Sequence, residues 1–390
     1  MLFGVLFVML FLGVPIAICL GIAVCVAIVA SGNLNLLPAV AQRMFTQADN
    51  FTLMAVPFFI LAGNIMEKGG ISKRLIDFIE ILMRRIPGRL SCITVVASAF
   101  FGAISGSNPA TVAAIGGITV PRMKQKGYPE DVAAAVAASG GTLGVVIPPS
   151  IPMVTYAVTA SVSVGTMFMA GVIPGLLLAA VLIATNIVIC KKYDAAENGK
   201  VTLKAFAHSF KEALLAIFMP VIILGGIYGG LFTPTESAAV ACVYAFIISV
   251  FVYKELTLKD IYEIFRKSTV SSAVVLFVVS MSAPFAWFMT NQNIPTFIAS
   301  SVLGLFTNKV ALLLMINVIL LFLGCFLETQ SIILLVTPDS AAHCSFPGII
   351  TSRFRYHHYY QYLHRYDHTA DGSEPVCRFG YSQYQYREDQ

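Results

Sequence analysis

The chain consists of long apolar segments separated by short polar stretches that are rich in lysine and arginine. An α-helix needs about 20 apolar residues to cross about 30 Å of hydrocarbon, and several of the apolar segments reach or approach this length. The pattern therefore predicts an all-α polytopic membrane protein. The apolar segments lie near residues 2–30, 51–66, 91–121, 132–160, 165–190, 212–232, 237–253, 269–290, 294–306 and 309–337.

Composition supports this assignment. Of the 390 residues, 57% are hydrophobic and 12% are charged, and the mean hydropathy is +0.82, more apolar surface than a soluble domain needs. Residues 1–30 lack a basic start and are apolar for too long to be a signal peptide, so we expect a first transmembrane helix there. The net charge of +5 lies in the loops and gives no indication of a nucleic-acid partner.

The basic stretches predict the topology. Residues 67–89, 122–131, 191–211 and 254–267 each carry several lysines or arginines, and the positive-inside rule places all four in the cytoplasm. The first two flank the apolar segment 91–121. That segment must therefore cross the membrane an even number of times, or enter it and return to the same side.

The segment 91–121 is interrupted at its midpoint by glycine, asparagine and proline. Each half is too short to span the hydrocarbon, which predicts a re-entrant helical hairpin that enters from the cytoplasm. Two short, tilted spanning helices are the alternative interpretation. The tip gathers hydroxyl, amide and backbone N–H groups where lipid would otherwise lie, a composition suited to binding an ion or an anionic substrate. The candidate site residues at the tip are Ser105, Gly106, Ser107, Asn108 and Thr111.

A second interruption lies inside the apolar segment 132–160. Glycines loosen its backbone and three prolines remove N–H donors, and such backbone persists in a membrane only inside protein or beside a wet cavity. A proline kink that serves only packing is the alternative, and the number of prolines favours a broken helix that binds a ligand. The candidate site residues here are Ser139, Gly140, Gly141, Thr142, Pro148, Pro149 and Ser150.

A weak internal repeat relates the two halves of the chain. Residues 54–75 resemble residues 281–303, and the hairpin at 91–121 resembles 309–338. The charge pattern places the second pair on the opposite side of the membrane, so the repeat is inverted. The expected domains are N-terminal scaffold helices (1–66), an amphipathic cytoplasmic arm (67–89), a first transport repeat (90–190, with hairpin 91–121 and broken helix 132–160), a cytoplasmic loop with scaffold helices (191–290), a second arm with the start of a second hairpin (291–338), and a tail (339–390).

The tail at 339–390 differs abruptly in composition, with five of the six histidines and eight of the fifteen tyrosines. A metal-binding tract and an interfacial aromatic belt are two interpretations. A one-base frameshift is the third interpretation, and it explains more of the tail than the other two. With ordinary codons, dropping one base before Asp339 changes residues 339–344 to Ile-Leu-Leu-Pro-Ile-Ala, and residues 364–376 to a helix with a Pro-Pro break. We therefore predict a one-base frameshift near codon 339 and a tail that is not a folded domain.

These motifs, taken in order from residue 1 to Pro338, resemble the large membrane subunit of the tripartite ATP-independent periplasmic (TRAP) transporters, the DctM type. A single motif is modest evidence, and the ordered set is specific. The motifs are Val56-Pro57-Phe58-Phe59, Leu61-Ala62-Gly63, Gly69-Gly70-Ile71-Ser72-Lys73-Arg74, Ser105-Gly106-Ser107, Ala138-Ser139-Gly140-Gly141, Ile147-Pro148-Pro149-Ser150-Ile151-Pro152, Phe168-Met169-Ala170-Gly171, Pro174-Gly175 and Gly230-Leu231-Phe232-Thr233-Pro234-Thr235-Glu236.

The resemblance implies a multi-pass protein of the bacterial inner membrane with the inverted-repeat fold of an elevator-type secondary transporter. It implies import of an organic acid (a C4-dicarboxylate, sugar acid or keto acid) driven by Na⁺, with no other cofactor and no enzymatic activity. The implied partners are a periplasmic substrate-binding protein, a small four-helix membrane subunit and the lipid bilayer. A chain that lacks the second broken helix in frame would be inactive as written.

The resemblance also implies paired sites. Ser105, Ser107, Ser139 and Thr142 are the expected Na⁺ ligands of the first site. The pseudo-twofold partner site is expected around Glu328, Thr329, Gln330 and Ser331. Glu328 is an intramembrane carboxylate, which makes it a functional candidate in its own right.

Three other functions were weighed. An intramembrane serine hydrolase would need a base near Ser105 or Ser107, and no histidine lies in an apolar segment before residue 339. A stand-alone Na⁺/carboxylate symporter with a related elevator fold is the main alternative. A channel or a scaffold subunit that does not transport is the third.

Overall fold

The structure of the chain is a computed structural model, and every regular element within its described residues is a helix. The all-α prediction is therefore confirmed. Glu328, Ser331 and the tail lie outside the described residues. The described residues are 1–194, 203–294, 309–324, 329–330, 332–334 and 336–337.

The helices follow one another with short connections. The α-helices are α1 (Leu2–Phe11), α2 (Ile16–Ala30), α3 (Leu37–Ala48), α4 (Ala55–Lys68), α5 (Ile71–Leu82), α6 (Arg89–Ser105), α7 (Asn108–Thr111), α8 (Gly117–Gln125), α9 (Glu130–Val146), α10 (Ile151–Thr159), α11 (Val164–Cys190), α12 (Leu203–Tyr228), α13 (Pro234–Ile247), α14 (Leu258–Asn291) and α15 (Lys309–Gly324). Short 3₁₀ turns lie at Leu34–Leu36 and Phe51–Met54, and π-helical turns at Val112–Gly116 and Ile248–Val252.

Within the described residues, five helices are long and apolar enough to cross a membrane, and α9 with α10, a pair bent by 41° at its break, makes a sixth if the pair crosses as one span. The polytopic membrane assignment and the predicted broken helix are confirmed. The five continuous spans are Phe51–Lys68, Val164–Cys190, Phe206–Tyr228, Pro234–Val252 and Leu258–Asn291.

The prediction of one transmembrane helix over residues 2–30 is wrong. The segment folds as two helices, α1 and α2, which pack against each other. Gly13 adopts a left-handed conformation with φ of 75°, and Pro15 precedes the first residue of α2, so the helix cannot continue between them.

The basic stretch 254–267 is also not a loop throughout, because α14 begins at Leu258. Thr257 and Asp260 form a reciprocal cap at this start. The Thr257 backbone N–H donates to Asp260 Oδ2 at 3.0 Å, and the Asp260 N–H donates to Thr257 Oγ1 at 3.3 Å. This capping chemistry starts the helix in the polar stretch, ahead of the apolar segment.

The chain divides into two units. The first comprises Met1–Met54, Val154–Ser163 and Thr269–Tyr362. Its core joins α1 and α2 to the later part of α14, with an edge-to-face contact between Phe3 and Phe285 whose ring centroids are 6.1 Å apart. The buried core residues are Leu2, Leu6, Cys19, Leu20, Ala23, Val24, Ala27, Ile28, Phe285, Phe288 and Met289.

The second unit comprises Ala55–Met153, Val164–Ser268 and Leu363–Gln390. In its described part, α6 packs along α9 and α4 packs along α13. The Cys242 thiol of α13 donates to the Phe58 carbonyl of α4 at 2.8 Å. Buried Val95 and Leu143 join α6 and α9 to Ala179 of α11. The candidate residues from 105 to 150 all lie in this unit.

The start of α13 is built by the Thr-Pro-Thr-Glu motif. Thr233 and Glu236 form a capping box, in which the Thr233 N–H donates to Glu236 Oε2 at 2.7 Å and the Glu236 N–H donates to Thr233 Oγ1 at 3.3 Å. Pro234 occupies the first helical position, where its missing N–H costs nothing. This geometry gives Glu236 a structural role at a helix start.

Candidate functional site

The predicted hairpin is present, with α6 as its first limb and α7, the π-turn and α8 as its second limb, and the two limbs contact each other. Gly106 ends α6 in a left-handed conformation with φ of 60°, which glycine adopts without steric cost. Its N–H donates to the Gly102 carbonyl at 2.9 Å. Ser107 is extended, and the second limb starts at Asn108 with Pro109 in its first turn.

The hairpin tip touches the break between α9 and α10. The Ile151 N–H donates to the Gly106 carbonyl at 3.1 Å, so a backbone hydrogen bond joins the tip to the first residue of α10. A Cβ added at Gly106 would lie 2.9 Å from Ser150 Cα. The two interruptions that the sequence placed in separate segments therefore form one contact.

Two glycines of α9 allow this close approach. A Cβ added at Gly144 would clash with the Thr111 hydroxyl and would lie 2.8 Å from the Ser107 carbonyl oxygen. A Cβ added at Gly141 would lie 2.7 Å from Asn108 Oδ1. Gly144 was not among the predicted site residues. Its spacing of four from Gly140, a small-x-x-x-small pattern typical of close helix contacts in membranes, is the signal that identifies it.

The hydroxyls of the tip bond to one another and to the tip backbone. Ser105 Oγ and Thr111 Oγ1 lie 3.1 Å apart, and the Thr111 hydroxyl donates to the Ser107 carbonyl at 2.8 Å. Thr111 is fully buried and Ser105 is nearly so. Because the Thr111 proton is directed to Ser107, the Thr111 oxygen has lone-pair capacity left for another donor or a cation.

Asn108 has a buried side-chain oxygen without a hydrogen-bond partner among the described residues. This Oδ1 atom lies beside Gly141 of α9, in a place that a side chain at that position would crowd. A buried amide oxygen without a donor is costly to maintain in a fold. A bound cation is a physical reason for such an oxygen to persist.

The hydroxyls of α9 donate within their own helix. The Thr142 hydroxyl donates to the Ser139 carbonyl at 2.6 Å, and the Ser139 hydroxyl donates to the Val136 carbonyl at 3.2 Å. Each hydroxyl uses its proton in this hydrogen bond, so the lone pairs of its oxygen are what remains for a ligand. Gly140 faces the first limb, because a Cβ there would lie 3.1 Å from Ser98 Oγ. Gly140 is thus a packing residue of the site.

The Pro-Pro-Ser motif shapes the break. Ile147 leaves the helix in an extended conformation, and the Pro148–Pro149 peptide bond is cis. Ser150 is fully buried, and its hydroxyl accepts from the Met153 N–H at 3.3 Å, which caps the start of α10. Pro148 and Pro149 therefore end α9, and Ser150 starts α10.

Of the predicted partner site, only Thr329 and Gln330 lie within the described residues, both buried. Gln330 Oε1 is buried and has no hydrogen-bond partner among the described residues. Gln330 in the first unit and Asn108 in the second thus both have a buried side-chain amide oxygen without a hydrogen-bond partner among the described residues. Glu328 and Ser331 lie outside the described residues, and their roles stay predictions.

Comparison with known proteins identifies the family. Residues 3–346 match the family model of the DctM component of tripartite ATP-independent periplasmic transporters. The chain belongs to this family. The resemblance drawn from the ordered motifs is confirmed, and so are the predictions of a membrane transport protein and a location in the bacterial inner membrane.

Relatives of known name are similar over most of the chain. The isethionate TRAP transporter permease protein DctMQ of Oleidesulfovibrio alaskensis is 46% identical over 86% of this chain and 53% of its own length. The C4-dicarboxylate large permease DctM of Rhodobacter capsulatus is 39% identical over 86% of this chain and 79% of its own length. The sialic acid large permease SiaM of Vibrio cholerae is 38% identical over 87% of this chain and 80% of its own length. The chain thus spans about half of the first relative. All three are permeases, in agreement with the prediction that the chain is not an enzyme.

The fold has a counterpart among solved structures. A crystal structure of the Alcanivorax borkumensis YdaH transporter aligns with a TM-score of 0.60 at 13% identity, over 93% of this chain and 83% of that protein. At this identity the likeness concerns the fold alone. It supports the predicted all-α fold.

Proposed function

We propose that the chain is the large permease subunit of a Na⁺-coupled, binding-protein-dependent importer of organic acids. Membership of the DctM family supports transport, and Asn108 is the observation that carries the ion coupling. Its Oδ1 is a neutral, buried oxygen that has no donor among the described residues, and hard cations take such oxygens as ligands in proteins. Na⁺ would be a transported ion of this protein and not a resident cofactor.

The oxygens nearest to Asn108 in the chain extend the proposed ion site. Ser105, Ser107 and Thr111 form one hydrogen-bonded cluster at the same tip, and Gly141 brings α9 against Asn108. Thr142 and Ser139 donate to backbone carbonyls, so only their oxygen lone pairs remain for a ligand. A site of neutral oxygens would hold Na⁺ without a buried countercharge, so that binding is weak enough for the ion to leave on the side of the membrane where Na⁺ is dilute.

The substrate would be a small organic anion. The relatives carry the names of isethionate, C4-dicarboxylates, sialic acid and 2,3-diketo-L-gulonate, all of which are acids. We place the substrate's acidic group near the start of the hairpin's second limb at Asn108, where a helix begins, because helix N-termini favour negative charge. The tip and the break would move together as an elevator, since a backbone hydrogen bond joins Gly106 to Ile151.

Two partners complete the proposal: a periplasmic binding protein that delivers the substrate and a small four-helix membrane subunit. The length of the DctMQ relative supports a further component, because this chain covers 53% of it. The same observation favours the multi-component importer over a stand-alone symporter. The serine hydrolase alternative is weakened, because the Ser105 hydroxyl lies beside Thr111 and the Ser107 carbonyl, and neither group is a base.

The direct test is uptake into proteoliposomes. The permease, the small subunit and the binding protein would be reconstituted and supplied in turn with an isethionate, a C4-dicarboxylate, a sialic acid and a diketo acid. Accumulation of one of them under an inward Na⁺ gradient, and not under an equal K⁺ gradient, is the expected result. No accumulation of any acid with a correctly inserted complex would count against the function.

We further propose that the reading frame is shifted near codon 339 and that the chain as written does not transport. The family match ends at residue 346, close to the change in composition after Pro338. Sequencing the gene tests this directly. A single surplus base near codon 339, whose removal restores an apolar segment with a second Pro-Pro break, is expected. A gene without such a base, or uptake by the uncorrected chain, would overturn this part of the proposal.

A further inference from the structure

The two limbs of the hairpin carry one arginine each at their ends away from the tip. Arg89 is the first residue of α6, and Arg122 lies in the last turn of α8. Both arginines face the same neighbouring helix, α5, which forms part of the predicted amphipathic arm. The contact is made by two carboxylates, Asp77 and Glu80, which are three residues apart and therefore lie on one side of α5.

Arg122 holds the second limb through both carboxylates. Its Nη1 lies 3.1 Å from Glu80 Oε2, and its Nη2 lies 3.2 Å from Asp77 Oδ1. The Arg122 side chain is 31% exposed and that of Glu80 is 34% exposed, so these are partly shielded ion pairs. A planar guanidinium that bonds to two separate carboxylates fixes orientation as well as distance.

Arg89 joins the first limb to Glu80 as well. Its side chain is only 5% exposed, and Nη2 lies 3.8 Å from Glu80 Oε1. Its Nε lies 3.8 Å from Oδ2 of Asp194, which lies in the turn that follows α11. Glu80 is therefore shared between the two limbs, with one carboxylate oxygen directed to each arginine.

Asp194 fixes the same end of the first limb by a second route. Gly88, which precedes α6, has no side chain to cap the helix, and Asp194 replaces that cap from a distant part of the chain. Its Oδ2 accepts from the Leu90 N–H at 3.2 Å, and its carbonyl accepts from the Gly88 N–H at 2.7 Å. Burial, with a further contribution from the Asp194 charge, raises the pKa of the nearby Tyr128 hydroxyl.

The opposite face of α5 is held by apolar contacts. Ile71, Leu75, Ile76 and Ile79 are buried, and Phe78 packs against two phenylalanine rings of α12. α5 is thus fixed between α12 and the hairpin within the same unit. A helix held on both faces can determine the positions of the groups that its charged face binds.

We propose that Asp77 and Glu80 form an acidic clamp that fixes the two hairpin limbs relative to each other, so that α5 and the hairpin act as one body and the tip keeps its geometry. Arg89 and Arg122 are the positioning residues of this clamp. Its effect on the tip rests on the proposed function, because the tip is the proposed Na⁺ site. The contacts of the clamp themselves are independent of what the tip binds.

Hydrogen–deuterium exchange of the full chain in lipid nanodiscs tests the clamp without reference to transport. The variants are Arg122→Gln, Glu80→Gln, the double variant, and Arg122→Lys as the conservative replacement. Arg122→Gln is expected to speed exchange in residues 117–125 by about three- to tenfold, since partly exposed charge-assisted pairs are lost. Arg122→Lys is expected to restore part of the protection, and the double variant should lose less than the sum of the two single changes.

Lys68→Gln is the matched control. The Lys68–Glu263 pair also has a separation of 3.1 Å and lies in the same unit, but it joins α4 to α14 and not the hairpin. It should leave exchange in the hairpin unchanged. Equal effects of Lys68→Gln and Arg122→Gln, or unchanged exchange in the Arg122→Gln hairpin, would overturn the clamp.

A transport measurement then separates the clamp from the function. In the reconstituted, frame-corrected complex, Arg122→Gln is expected to raise the half-saturating Na⁺ concentration about threefold or more, and Lys68→Gln should not change it. If the hairpin loses protection while the half-saturating Na⁺ concentration stays the same, the link from clamp to tip is wrong. If the wild-type complex shows no Na⁺ dependence, the proposed function fails, and the exchange result alone decides the clamp.

Discussion

The side-chain oxygen of Asn108 points at Gly141: a Cβ added to that glycine would lie 2.7 Å from Asn108 Oδ1. This oxygen is buried and has no hydrogen-bond donor among the described residues. Asn108 Oδ1 thus lies where the hairpin tip meets the broken helix, and the described residues offer it no hydrogen-bond donor. A buried oxygen without a hydrogen bond destabilises the fold, and for this reason we assign a ligand to Asn108 Oδ1.

Replacing Asn108 by Ala should separate stability from function. The change removes an oxygen without a partner, so the thermal midpoint in detergent should stay the same or rise. The half-saturating Na⁺ concentration for uptake should rise at least tenfold, because a loss of about 1.4 kcal/mol of ion binding raises the dissociation constant by a factor of ten.

Ser249→Ala is the control for Asn108→Ala. Ser249 Oγ is another buried side-chain oxygen without a partner among the described residues, and it lies in the π-turn at Ile248–Val252. Its removal should likewise leave the thermal midpoint the same or raise it, and it should not change uptake. If Asn108→Ala retains full Na⁺-dependent uptake, the assignment of Asn108 to the ion site is wrong.

Gly144→Ala should displace the hairpin tip. The new methyl group would meet the Thr111 hydroxyl and the Ser107 carbonyl, and overpacking of this kind costs about 1–3 kcal/mol. We expect a lower thermal midpoint and a loss of uptake. Gly117→Ala, in the same hairpin with open space around the added methyl, should be neutral or slightly stabilising. Similar effects of the two substitutions would contradict the close approach of tip and α9.

Thr111→Val tests the hydroxyl cluster. The change removes the hydrogen bond to the Ser107 carbonyl at 2.8 Å and the contact with Ser105, and it should cost about 1 kcal/mol of stability. Thr119→Val is the matched control for Thr111→Val, because the Thr119 hydroxyl is equally buried and donates to the Ile115 carbonyl at 2.9 Å. Both variants should lose similar stability, and only Thr111→Val should raise the Na⁺ concentration needed for uptake. A normal Na⁺ dependence in Thr111→Val would remove that hydroxyl from the site.

The capping box at the start of α13 should affect stability alone. Thr233→Ala removes the side chain that accepts from the Glu236 N–H, and loss of such a cap costs about 0.5–2 kcal/mol. The half-saturating Na⁺ concentration should not change, and Glu236→Gln, which keeps an acceptor for the Thr233 N–H, should leave both properties near wild type. An altered Na⁺ dependence in Glu236→Gln would give Glu236 a functional role.

Local signals in the sequence were sufficient to predict the breaks. The pair Pro148 and Pro149 removes two successive N–H donors directly after α9 ends, and glycine at position 106 allows the left-handed turn of the tip. Which α9 residues face the tip depends on how two helices pack, so Gly144 was missed although its spacing from Gly140 carried a signal. The division of residues 2–30 was missed because the length of the apolar run outweighed Gly13 and Pro15.

The central claim is that the tip of the first hairpin binds the Na⁺ that drives uptake. The most direct measurement is uptake of an organic acid by proteoliposomes with the frame-corrected permease and its partners, at a series of Na⁺ concentrations, for wild type and Asn108→Ala. The predicted result is saturable Na⁺-dependent uptake whose half-saturating Na⁺ concentration rises at least tenfold in Asn108→Ala. Uptake that is equal in Na⁺ and K⁺, or that Asn108→Ala leaves unchanged, would contradict the claim.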